Sequence, residues 1–219
     1  MGKIVAIDGP AGSGKGTVAK ILADECNLVY IDTGAMYRAI AYECLQNNID
    51  ISEEDKIVEL AKNSKIEFID GKTYLNGNNI SKEIRTMEVT RIVSPISSIV
   101  KLREILVDMQ RDMAGDNDVI MEGRDITTVV FPTATYKFYL DASLEERANR
   151  RYKENLEKGM NVTIEEIKEN ISKRDYNDMH KEVGSLTRIE DSIYIDSTNL
   201  TIEEVVNIMK KQIEENEWM

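Results

Sequence analysis

Nine consecutive residues, Gly9-Pro10-Ala11-Gly12-Ser13-Gly14-Lys15-Gly16-Thr17, carry the plainest chemistry in this chain, which is anion binding. Gly9, Gly14 and Lys15 fit the pattern G-x-x-x-x-G-K. Glycines let successive backbone N–H groups turn inward onto phosphate oxygens, and a helix opening there adds partial positive charge. Lys15 supplies a point charge for the terminal phosphates of a nucleotide. The general pattern next wants Ser or Thr for Mg²⁺; here Gly16 intervenes and Thr17 follows. Phosphate gripping is expected from Gly9 through Thr17, but the segment does not say what receives the phosphoryl group.

The elements around the loop must hold it in place. Residues 3–7 (KIVAI) form a short β-branched apolar run, expected as a buried strand, and a helix should follow from about Gly16 to Glu25. Further strands are expected at 28–31, 118–121, 136–140 and 192–195. Helical patterns cover about 35–46, 54–62, 87–113 with a break near Pro95, 144–158, a stretch from Thr163, and one capped by Thr201. Ser52-Glu53-Glu54-Asp55 resembles a capping box with Asp in place of Glu. Between 63 and 86 the period changes: apolar residues alternate, with turn signals at Asp70-Gly71 and Asn76-Gly77. The expectation is an α/β fold with a five-stranded parallel sheet and helices on both faces. The core would comprise 1–62 and 87–219, with 63–86 as a small antiparallel insertion.

Composition narrows the classes. The chain has 219 residues, 42% hydrophobic and 31% charged, which suits one packed domain with an insertion. Its formal net charge of −12 disfavours nucleic acid as a partner. No apolar window approaches membrane-spanning length, and no signal-peptide layout is present, so a cytoplasmic protein is expected. Cys26 and Cys44 read as reduced thiols, His180 as a partly exposed helix residue without metal partners, and Trp218 as part of a frayed tail.

The Gly-Lys-Gly-Thr ending of the loop resembles nucleoside monophosphate kinases. More specific segments extend over nearly the whole chain: Ile7-Asp8-Gly9-Pro10, Asp32-Thr33-Gly34-Ala35-Met36-Tyr37-Arg38, Ile84-Arg85-Thr86, Glu122-Gly123-Arg124-Asp125, Thr128-Val129-Val130-Phe131-Pro132, Leu140-Asp141-Ala142-Ser143 and Lys173-Arg174-Asp175 with Asp178. Together they resemble the bacterial cytidylate kinases. The resemblance implies a P-loop nucleotide kinase with a helical lid at about 147–181. It implies transfer of a phosphoryl group from ATP, with Mg²⁺, to CMP and dCMP in pyrimidine nucleotide metabolism, by a monomer.

By the same resemblance, Thr33, Arg38 and Arg124 hold the acceptor's phosphate, with Tyr37 in the substrate site. Ser94, Arg103 and Asp125 face the cytosine ring, and Arg174 and Asp178 reach the ribose. The residue types suit these tasks: a carboxylate accepts from the exocyclic amine, and a guanidinium donates to the ring acceptors. A purely structural Arg124–Asp125 pair stays open. Arg147 and Arg151, with Lys15 and Arg124, are expected on the transferred group; Arg150 adjoins them. Thr17 is expected to ligate Mg²⁺, with Asp32 reaching it through water. One departure stands out: Lys181 occupies a position where the family usually has Arg, and the Pro that usually follows is absent from Val183-Gly184-Ser185-Leu186. Lys lacks the planar fork of Arg, so acceptor affinity or sugar preference is expected to differ. A phosphate acceptor needs no general base; Asp32 or Asp125 acting as base for an alcohol stays open at this stage.

Overall fold

The structure is a computed structural model, and it describes residues 2–157 and 159–215. Lys158 and Trp218 lie outside the described residues. Five strands form one sheet: β1 (Ile4–Asp8), β2 (Val29–Asp32), β6 (Val119–Gly123), β7 (Tyr136–Asp141) and β8 (Ile193–Asp196), in the order β2-β6-β1-β7-β8. Every neighbouring pair is parallel. Strand β1 lies at the centre and is buried along its full length, as a β-branched run without polar alternation requires.

Alternate side chains of β1 serve opposite faces. Val5 and Ile7 pack with α1 (Lys15–Cys26) and α8 (Ile202–Glu215) through Val18, Leu22, Val205 and Met209. Ile4 and Ala6 pack on the other face with Val107 of α5 (Val100–Ala114) and with Ile126, Val130 and Phe131. The expected layering, helices on both faces of a parallel sheet, is therefore present.

The residues between 63 and 86 form a separate antiparallel sheet, β3 (Ile66–Ile69), β4 (Lys72–Leu75) and β5 (Asn78–Asn79). Asp70-Gly71 turns with φ of 49° and 69°, the left-handed pair a two-residue hairpin needs. Its apolar residues Ile66, Leu75, Ile80 and Ile84 share one core with α2 (Thr33–Gln46), α3 (Glu54–Lys62), α4 (Met87–Ile96) and α5.

One local expectation changes. Ser52 is not the cap of α3: its N–H and Oγ both donate to Asp50 Oδ1, and Glu53 occupies the cap position with no side-chain cap bond. Asp50 captures Ser52 because an Asx turn two residues long competes with the cap. The expected break near Pro95 is present: Pro95 sits in the last turn of α4, which ends one residue later, and α5 restarts at Val100. Residues 126–130, unassigned from the sequence, form a wide helical turn in which Val130 and Phe131 N–H groups donate five residues back. Elsewhere the caps agree with expectation: Thr163 and Thr201 each exchange bonds with a Glu three residues on. No helix among the described residues is long and apolar enough to cross a membrane.

Candidate active site

The carboxyl ends of the parallel strands are where ligands bind in open α/β sheets. At the end of β1 the chain enters the glycine loop and then α1, whose N-cap is Gly14 at φ 96°, a left-handed backbone that L side chains rarely adopt. Lys15 opens the helix and is buried. Its Nζ donates to the Pro10 carbonyl at 2.8 Å and to Ser13 Oγ at 3.3 Å, so the lysine folds back over its own loop. Burial, then Arg124, drives its ammonium pKa down, against the pull of Glu122 and Asp8. Thr17 is exposed on the first turn of α1.

Gly16, the departure from the general pattern, has a local reason. A Cβ there would lie 3.3 Å from Glu122 Oε1 and 3.5 Å from the Tyr30 hydroxyl. A hydroxyl-bearing residue directly after Lys15 would press on a buried carboxylate at the end of β6. Burial, then the neighbouring Asp32 carboxylate, raises the Glu122 pKa. Two carboxylates thus share this corner beside Gly16. A hard cation that takes one or two carboxylates, waters and phosphate oxygens suits such a donor set, and Mg²⁺ has that habit. Among the described residues no cluster of three metal-ligating side chains occurs, so an all-protein cage does not fit.

Strand β2 ends in Asp32, which caps α2 by accepting from the Ala35 N–H at 2.7 Å. The same carboxylate holds Arg38 at 3.0 Å and Arg85 at 3.8 Å. Thr33 donates to the Glu122 carbonyl at 2.8 Å, tying β2 to β6. From the end of β6, Arg124 Nε reaches Asp178 Oδ2 at 2.8 Å. Lys181 Nζ meets Asp178 Oδ1 at 2.9 Å and Ser97 Oγ at 3.0 Å, and Arg174 stands 3.9 Å from Asp178. Burial works to raise the Asp178 carboxyl; Arg124, Lys181 and Arg174 outweigh it and hold it well below the usual carboxylate range. Burial, then Arg124, lowers the Arg174 pKa to about 10.

Beside this cluster lies a second buried pair. Arg103, on α5, meets Asp125 and donates to the Ser97 carbonyl at 2.9 Å. The guanidinium sits 5.5 Å over the Tyr37 ring, a cation–π contact from α2. Ser94 lies one turn before Ser97, and its carbonyl accepts from Ser97 Oγ. Asp125 thus faces Arg103 across the fold, and the ion pair with its chain neighbour Arg124 left open from the sequence does not form. The Nε groups of Arg38 and Arg103 are buried without a partner, two donors available to an incoming acceptor.

The basic helix α6 (Leu144–Glu157) and α7 (Ile164–Met179) pack together over the loop. Arg147 donates to the carbonyls of Ala11 and Ala142 and pairs with Asp175, whose other oxygen accepts from the Ala11 N–H. Arg150 points inward, to the Ser13 carbonyl and to Ser197. Arg151 points outward, half-exposed, to Glu154. Arg150, expected as the least inward of the three, thus reaches the loop with Arg147, and Arg151 does not. The geometry brings Lys15, Thr17, Asp32, Thr33, Tyr37, Arg38, Arg103, Arg124, Asp125, Arg147, Arg174, Asp178 and Lys181 to one end of the sheet.

Four contributors had no role assigned from the sequence: Asp8, Glu122 and Asp175, which stand in the quoted segments, and Ser197, which does not. Asp8 is fully buried at the tip of β1 and accepts from the N–H groups of Ile126 and Thr127 and from Thr127 Oγ1. It fixes the turn that carries Arg124 and Asp125 to the strand that carries the glycine loop. Its sequence signals were its place in Ile7-Asp8-Gly9-Pro10 and a carboxylate at the end of an otherwise apolar strand.

Comparison with known proteins gives the relation. A family model described as cytidylate kinase matches residues 5–215. The cytidylate kinase of Clostridioides difficile is 48% identical over 210 residues, covering 96% of this chain and 97% of that protein. That of Alkaliphilus oremlandii is 52% identical over 202 residues, 92% and 93% of the two chains. Among solved structures, an uncharacterized protein from Eubacterium ventriosum aligns over 97% of this chain and 98% of its own, with a TM-score of 0.56 at 12% identity, a likeness of fold alone. With the family model spanning the sheet, the loop and the arginine cluster alike, the chain belongs to the cytidylate kinase family.

Proposed function

We propose that this protein transfers the γ-phosphoryl group of ATP to CMP and to dCMP, giving CDP and dCDP, within pyrimidine nucleotide metabolism. The observation that carries this reading is the buried Arg103–Asp125 pair over Tyr37, adjoining the Arg124–Asp178–Lys181 cluster. Asp125 would accept from the cytosine amine and Arg103 would donate to the ring acceptors, with Ser94 beside them. Thr33, Arg38 and Arg124 would take the acceptor's phosphate, and Arg174, Asp178 and Lys181 the sugar side.

The transition state of such a transfer is loose, so catalysis is positioning and charge stabilisation. Lys15, Arg124, Arg147 and Arg151 would surround the transferred group, with Arg151 swinging in from its contact with Glu154. Residues Gly9 to Thr17 would wrap the donor phosphates. Bound Mg²⁺ would neutralise charge on those phosphates; Thr17 would hold it, with Asp32 and Glu122 across water. The acceptor is already anionic, so no base is required. Asp32 pairs with Arg38, and one oxygen of Asp125 pairs with Arg103. We also read the chain as a cytoplasmic monomer that does not bind nucleic acid, in line with its charge of −12.

Base selection gives the sharpest test. Replacing Asp125 by Ala should reduce the preference for CMP over UMP in kcat/KM by roughly tenfold to a hundredfold, the range expected when a buried polar partner is lost. Unchanged discrimination would sink the assignment of Asp125.

A further inference from the structure

We propose that Gly184 is a specificity-determining residue: its missing side chain lets the strap 181–186 seat directly on the Arg103–Asp125 pair and so sets the shape of the base pocket. The inference rests on the reading of that pair as the base-recognition element. Three observations converge on it.

The strap is fastened at both ends to one residue. Lys181 Nζ binds the Asp178 carboxylate and Ser97 Oγ, while the Leu186 N–H donates to the Asp178 carbonyl at 2.7 Å, with Leu186 buried. Between these anchors Glu182 and Val183 are exposed, and the backbone at Gly184 lies against Arg103 and Asp125. Gly184 has a φ of 66°, a left-handed backbone, so the strap takes this path at low cost only with glycine. A Cβ built there would overlap Arg103 Nη2 and Asp125 Oδ2 and would lie 2.6 Å from Arg103 Cζ.

Arg103 cannot simply swing away from such a group. It is buried and held by the Ser97 carbonyl, with the Tyr37 ring against it. A side chain at 184 must either push the pair apart or lift the strap. Either change alters the face presented to the base while leaving the glycine loop untouched. The effect should therefore fall on acceptor recognition and spare the donor.

The test is steady-state kinetics of Gly184→Ala and Gly184→Asn, with CMP and UMP as acceptors. Asn tolerates a left-handed backbone yet still carries a Cβ, so it separates collision from strain. Both variants are expected to raise KM for CMP and shrink the CMP-over-UMP ratio of kcat/KM by about tenfold, with KM for ATP within about twofold of the unaltered protein. Ser185→Ala, one residue along the strap, should leave both constants unchanged. The proposal is overturned if both Gly184 variants keep the original selectivity, if Asn restores it while Ala does not, or if Ser185→Ala loses as much. Melting temperatures check folding, and the Asn variant keeps the comparison open should Ala fail to fold. Failure of the proposed function would show earlier and separately, as an unaltered protein that consumes no ATP with CMP.

Discussion

On the proposed reading donor chemistry depends on Lys15, and its environment makes a prediction. Burial and Arg124 favour its neutral form, and its Nζ is turned onto the Pro10 carbonyl. Donor phosphates favour the charged form. Its pKa should therefore rise on ATP binding, and protons should be taken up. At pH 8 and without divalent metal, where ATP itself is fully ionised, calorimetry in buffers of different ionisation enthalpy should show uptake of up to about one proton. Lys15→Met should lose most of that uptake, and release of protons by the unaltered protein would contradict the account. Removal of the charge by Lys15→Ala should lower kcat by about 10²–10³, the usual effect of deleting one preorganised electrostatic group.

Among elements, the lid and the insertion are the parts we propose to move. Helices α6 and α7 touch the glycine loop through Arg147, Arg150 and Asp175, and the insertion reaches the site through Arg85. A bisubstrate analogue should draw them inward and lower the solution radius of gyration, on the order of 1 Å out of roughly 17 Å for a chain of this length. Identical scattering profiles with and without the analogue would rule out closure. Element types were legible because periodicity is local. The apolar run of β1, the hairpin signals at Asp70-Gly71 and the Thr163 cap each act within a few residues. The wide turn at 126–130 was not legible, since the carboxylate of Asp8 that organises it lies 118 residues away in sequence. The inward turn of Arg150 was hidden for the same reason: its partners Ser13 and Ser197 come from opposite ends of the chain.

The whole molecule sets a concentrated positive site inside an acidic surface. The net charge is −12, yet arginines and lysines from α1, α2, α5, α6, α7 and the turn after β6 converge at one end of the sheet. Screening over about 8 Å at physiological salt makes that local field, and not the global sign, the one a nucleotide meets. The resemblance named the proposed site residues, and their convergence follows from the β2-β6-β1-β7-β8 order. Which carboxylate holds which arginine was not, because Asp178 gathers Arg124, Arg174 and Lys181 only after α7 has folded over the sheet. The central claim is a kinase that reads cytosine on a monophosphate. Its most direct measurement is ATP consumption by the purified protein across CMP, dCMP, UMP and AMP. The account predicts rapid turnover with CMP and dCMP, weaker turnover with UMP and none above background with AMP. Turnover with AMP equal to that with CMP, or with no nucleotide at all, would contradict it.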